Sequence, residues 1–198
     1  MVEKIMKHPA AIVKEEAVAA RFIYILIGVT GFIVLTAVGA FIRIPLPFTP
    51  VPLTLQTLFV LLSGALLGRR FGPLSQGGYV FLGSFGVPLF AGGGGFLHIL
   101  GPTGGYLIGF IVASWIVGRL LDSGKGLFFT RILLVMAFAS LVIYLLGALH
   151  LALVVNVGFR KAIFMGVLPF IPGDTLKLLA AALLYWRFNG RLNQVFPR

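Results

Sequence analysis

Pro169-Phe170-Ile171-Pro172-Gly173-Asp174-Thr175-Leu176-Lys177 opens the last apolar segment of the chain, and its two charges decide how the segment is read. The only other carboxylates are Glu3, Glu15, Glu16 and Asp122, all in the amino-terminal tail or in one basic loop. A charge held at membrane depth costs roughly 2.5–3.5 kcal/mol on insertion scales, so a pair there implies a reason for being there. Asp174 and Lys177 are three residues apart and share one face of a helix. A lysine on that face, beside the positive end of a helix, suits a carboxylate arriving from outside. The same residues have a plainer reading. Pro172-Gly173-Asp174 is ordinary helix-start chemistry, and Lys177 can snorkel to headgroups.

Outward from this stretch the chain is hydrocarbon. Mean hydropathy is +1.07 and 59% of residues are hydrophobic, well above a soluble domain. The pattern predicts an all-α membrane protein: a mixed-charge tail over 1–21, then one domain over 22–198. Six transmembrane helices are expected at Phe22–Ile44, Leu53–Gly68, Leu74–Phe90, Tyr106–Leu121, Arg131–Val155 and Asp174–Trp186. A tail followed by an apolar run resembles a signal peptide, but this run is too long and more spans follow. Twelve Lys and Arg fall on the side of the two termini, against Arg43, Arg160, Lys161 and the span residue Lys177. That excess places both termini in the cytoplasm. The net charge of +11 is therefore a topology signal, and the basic residues form no stripe for nucleic acid. Cysteine is absent, which removes thiolate chemistry.

The outward side carries the elaborate loops. Pro45-Leu46-Pro47-Phe48-Thr49-Pro50-Val51-Pro52 has four prolines in eight residues and makes a stiff, extended segment. Ala91–Tyr106 is rich in glycine, and Asn156–Gly173 forms the third loop. Irregular backbone near membrane depth survives where protein buries it or a wet cavity receives it, so these loops point to a lidded pocket. Gly92, Gly93, Gly94 and Gly95 allow positive φ and could turn backbone groups onto a planar polar ligand, or form a flexible surface loop. Gln56 and Asn156 are amides on the pocket side. They suit a urea-like ligand, or cap nearby helix ends. Tyr106 and Phe48 either wall the site or sit in the aromatic belt. Gly101, Gly105, Gly109 and Ala113 recur every fourth residue and let a neighbouring helix pack closely. Thr36 with Ala40, and Gly64 with Gly68, are similar patches, open to internal contact or to docking of a membrane partner.

Chemistry-bearing constellations are missing from the sequence. No G-x-S-x-G, H-E-x-x-H or phosphate-binding G-x-x-x-x-G-K-[ST] occurs. His98 and His150 are too isolated for a metal site. The expectation is a binding protein without catalysis, cofactor or metal.

Four motifs, taken in order, carry a family resemblance. They are Ile44-Pro45-Leu46-Pro47-Phe48-Thr49-Pro50-Val51-Pro52-Leu53-Thr54-Leu55-Gln56-Thr57-Leu58, Leu89-Phe90-Ala91-Gly92-Gly93-Gly94-Gly95, Gly101-Pro102-Thr103-Gly104-Gly105-Tyr106-Leu107-Ile108-Gly109-Phe110, and Pro169 to Asp174 with Lys177. Together they resemble the BioY family, the biotin-specific S components of energy-coupling-factor transporters. The resemblance implies a six-helix S-component fold with structured outward-facing loops, in a prokaryotic cell membrane. It implies biotin as ligand, and as partners a transmembrane coupling (T) protein with two ABC-type ATPases. By resemblance the acidic–basic pair is Asp174 and Lys177, and the biotin-facing loops are Pro45–Pro52, with Phe48, and Ala91–Tyr106, with Gly92, Gly93, Gly94, Thr103 and Tyr106. The family's docking motif has alanines four apart; here Thr36 and Ala40 match it best, which is a departure. The expected division of labour gives the ligand carboxylate to Lys177, with Asp174 orienting the lysine. The competing expectations are an S component for another small vitamin, a self-sufficient secondary transporter and an intramembrane enzyme. Spare intramembrane carboxylates are lacking for the second, and a nucleophile–base pair for the third.

Overall fold

The computed structural model describes residues 9–122 and 128–195, with side chains placed for 21–122 and 128–188. Lys4, Lys7, Lys125 and Arg198, and the side chains of Lys14, Glu15, Glu16 and Arg191, lie outside the described residues. Among the described residues, seven helices and one small hairpin follow in order: α1 (Pro9–Phe41), β1 (Arg43–Ile44), β2 (Leu53–Thr54), α2 (Gln56–Ser84), α3 (Phe96–Leu100), α4 (Gly104–Leu121), α5 (Phe129–Val154), α6 (Phe159–Gly166) and α7 (Ile171–Val195). Among the described residues, four segments are long and apolar enough to cross a membrane, within α1, α4, α5 and Phe159–Phe188. The remaining two traverses are the arms of α2. Gly68 breaks that helix with φ 73° and ψ −173°, a left-handed conformation that glycine adopts without penalty. The arms then run antiparallel, since Gln56 meets Tyr79 and Ser63 meets Gln76. The chain is thus a multi-pass, all-α membrane protein.

Differences from the expected boundaries have local causes. Arg69 and Arg70 begin the second arm of α2 instead of occupying a loop, because the turn is made by one glycine. The 156–173 loop contains α6, whose apolar side buries Ala162 while Arg160 and Lys161 stay exposed. Pro172 lies in the first turn of α7, where its missing N–H costs nothing.

α4 runs through the middle of the bundle, packed on α2 and α5. A Cβ at Gly105 would run into the Leu146 carbonyl and the His150 side chain, and one at Gly109 would sit 3.0 Å from the Ile143 Cα. The small-residue stripe is therefore the α4–α5 contact. A buried polar ladder ties α1, α2 and α4 together: Gln76 donates to Thr36 and Ser63, and Ser63 pairs with Ser114. Among the described residues no buried side-chain polar atom lacks a partner. In hydrocarbon that satisfaction is required.

Candidate functional site

The proline-rich loop folds as a hairpin above the bundle. β1 and β2 pair antiparallel, with Arg43 opposite Thr54 and Ile44 opposite Leu53. The prolines sit between the strands, where no ladder hydrogen bond is needed. The glycine loop makes a tight turn: the Phe90 N–H donates to the Gly93 carbonyl at 2.8 Å, and Gly92 and Gly93 have φ of 137° and 139°. Tyr79, fully buried on α2, anchors this loop by donating its hydroxyl to the Leu89 carbonyl at 3.1 Å.

Beneath the loops lies a cavity of about 580 Å³, of which about 60 Å³ admits the centre of a water molecule. The larger figure includes space open to solvent, so the enclosed part is a narrow apolar slot. One wall is Val51 to Thr54 with Gln56 and Thr57, and Phe90 and Ala91 form the second. Thr103, just before α4, and Tyr106, Leu107 and Phe110 of α4 form the third. The remaining wall is Ile143, Tyr144, Phe170 and Asp174. Tyr106 meets Phe170 edge-on at 6.5 Å, and its hydroxyl donates to the Gly166 carbonyl at 2.6 Å.

Asp174 is the polar centre of this wall. Its Oδ1 accepts from Thr57 Oγ1 at 3.1 Å and from Lys177 Nζ at 2.5 Å; its Oδ2 accepts from the Tyr144 hydroxyl at 2.7 Å. Donors from α2, α5 and α7 thus converge on one carboxylate. Asp174 does not cap its helix, since its own N–H donates to the Phe170 carbonyl inside the first turn of α7. Lys177 Nζ also donates to the Thr54 carbonyl of β2. The side chains of Lys177 and Asp174 are 12% and 13% exposed, so the pair is close to fully desolvated. Lys177 lies behind the wall, and Asp174 is the residue that reaches the cavity. The arrangement presents a charged acceptor in an apolar slot, which selects N–H donors.

The other sequence candidates divide. Gln56 lines the slot, donating Nε2–H to the Tyr79 hydroxyl at 2.7 Å and accepting from Thr54 Oγ1 at 3.0 Å. Thr103 and Tyr106 line it too. Gly92, Gly93 and Gly94 shape the turn that positions Phe90 and Ala91 and do not form the wall. Phe48 is 57% exposed on the hairpin, and Asn156 is exposed at the end of α5 with φ 52°; neither lines the slot. Thr36, Ala40, Gly64 and Gly68 are buried in the bundle, where they make internal contacts. Thr57 lies within the first of the four motifs but was not singled out, Tyr144 lies in no motif, and sequence reasoning missed both as partners of Asp174. Tyr144 left one signal. A tyrosine deep in an apolar helix, far from either interface, needs a partner for its hydroxyl.

The family model described as the BioY family matches residues 9–194. A probable biotin transporter BioY of Pyrococcus horikoshii is 47% identical over 160 residues, 80% of this chain and 92% of that one. The biotin transporter BioY of Thermotoga maritima is 43% identical over 160 residues, covering 80% and 91%. A crystal structure of the S-component for biotin from an ECF-type ABC transporter superposes with a TM-score of 0.77 at 28% identity, covering 85% of this chain and 92% of that chain.

Proposed function

This chain belongs to the BioY family, and from that membership we propose that it captures biotin from the external side of a prokaryotic cell membrane. It then delivers the vitamin to an energy-coupling-factor system and catalyses no reaction itself. The observation that carries the reading is the apolar slot with a single ionised acceptor, Asp174, on its wall. Biotin has an apolar fused ring, two ureido N–H donors and a carboxylate tail. Tyr106, Phe110 and Phe170 suit the ring, and Asp174 suits an N–H donor. Lys177, which the sequence assigns to the ligand's anionic end, acts in this geometry through Asp174. Its ammonium donates to Asp174 Oδ1 and holds the carboxylate in place on the slot wall.

The partners follow from what the chain must obtain elsewhere. Its sequence has no nucleotide-binding loop, so accumulation draws on a transmembrane coupling protein and two ABC-type ATPases. The lysine and arginine bias favours cytoplasmic termini, with the hairpin and glycine loop facing outward. The test is to purify the protein in detergent and analyse bound small molecules by mass spectrometry. Biotin retained, and displaced by added biotin but not by thiamin or riboflavin, supports the reading. Retention of another vitamin, or indifference to biotin, overturns it.

A further inference from the structure

We infer that Arg43 is a second, outer anchor for the same ligand, its guanidinium receiving the carboxylate that the inner slot cannot hold. The inference rests on the biotin reading above.

A second cavity lies directly outside the slot. It is lined by Arg43, Pro45, Leu46, Thr49 and Pro50 of the hairpin, and it shares Pro52 and Ala91 with the inner one. The two are therefore successive parts of one path. Their character differs. Of about 600 Å³ of empty space in the outer part, about 320 Å³ admits a water centre, against about 60 Å³ in the slot. The inner part suits a ring, and the outer one a solvated charged tail.

Charge follows the same division. Asp174 is the charged residue of the inner lining, and Arg43 that of the outer lining. A ligand carboxylate against Asp174 would meet a like charge, and the repulsion opposes binding in that orientation. Lys177 offers no remedy, because its ammonium already serves Asp174 and the Thr54 carbonyl from behind the wall. Among the described residues Arg43 has no carboxylate partner. The ladder places it directly opposite Thr54, so one strand pair ties the outer cation to the inner charge pair. Its side chain reaches the glycine turn: a Cβ at Gly92 would lie 3.5 Å from Arg43 Nη1 and 3.7 Å from His98 Nε2. A planar guanidinium matches a carboxylate with two parallel hydrogen bonds.

The test compares biotin with biotinamide, which lacks only the anionic end, by calorimetric titration of the detergent-purified full chain and of Arg43→Gln and Arg43→Lys. Arg43 is exposed, so Arg43→Gln is expected to fold and to keep its unfolding midpoint. The unaltered protein should prefer biotin over the amide. Arg43→Gln should lose about tenfold in biotin affinity, between the values typical of exposed and of desolvated charged contacts, while its affinity for the amide stays unchanged. Arg43→Lys should retain part of the preference. Equal losses for both ligands, or unchanged biotin affinity in Arg43→Gln, overturn the inference and leave biotin capture standing. Failure of the unaltered protein to bind biotin defeats the capture reading, and this inference with it.

Discussion

Replacing Lys177 by Met removes one member of the desolvated pair at nearly constant volume. Breaking a buried ion pair from one side costs roughly 3–5 kcal/mol, because the remaining charge is left uncompensated. At 12% and 13% exposure, solvent screening relieves little of this. The Thr54 carbonyl also loses its donor, which loosens β2 over the slot. One effect reduces the loss: Thr57 and Tyr144 still donate to Asp174. The upper figure is therefore a ceiling, and a loss of about 3 kcal/mol is expected. The double variant Asp174→Asn with Lys177→Met removes both charges and should recover most of that stability, since exchanging a whole buried pair for neutral groups is often close to neutral. It should not recover ligand binding, because the ionised acceptor is gone. The assay is thermal unfolding in detergent with and without biotin, where a ligand at a hundredfold its Kd adds about 2.7 kcal/mol. The predicted order of unliganded stability is wild type, then the double variant, then Lys177→Met, with biotin stabilising only the wild type strongly. A single variant as stable as the wild type, or a double variant still stabilised by biotin, refutes the reasoning.

Tyr144→Phe removes one neutral donor from Asp174 Oδ2 and should weaken biotin binding about tenfold, or roughly 1–2 kcal/mol, in a calorimetric titration. Gly105→Leu drives a side chain into the Leu146 carbonyl and should abolish accumulation of folded protein, whereas Gly77→Ala meets nothing within 4 Å and should be neutral or stabilising by up to about 1 kcal/mol. Size-exclusion profiles and unfolding midpoints separate the two. Arg69→Gln breaks a 3.4 Å ion pair with Asp122 whose arginine side chain is 45% exposed; less than about 1 kcal/mol should be lost by thermal unfolding.

The fold was legible where hydropathy and punctuation agree. Prolines at 45–52 and glycines at 92–95 marked the two loops that cover the slot, and basic residues marked the opposite side. Asp174 was legible because a lone carboxylate in hydrocarbon requires partners. Their identity was not, since Thr57 and Tyr144 approach from 117 and 30 residues away, and no local spacing encodes such contacts. Lys177 illustrates the same limit. Three-residue spacing puts it beside Asp174, but it does not reveal that the Thr54 carbonyl draws the ammonium behind the wall. The small-residue pairs at Thr36 with Ala40 and Gly64 with Gly68 had two readings in the sequence. Gly64 shows why position decides: a Cβ there would strike the Ser114 backbone.

Asp174 at the wall of an apolar slot is the feature on which the account turns, and a structure of the protein solved with biotin tests it most directly. The account predicts the fused ring between Tyr106, Phe110 and Phe170, with a ureido N–H in hydrogen-bonding range of the Asp174 carboxylate and the tail directed outward past Pro52 and Ala91. Biotin bound outside this slot, or inserted with its carboxylate toward Asp174, would contradict it.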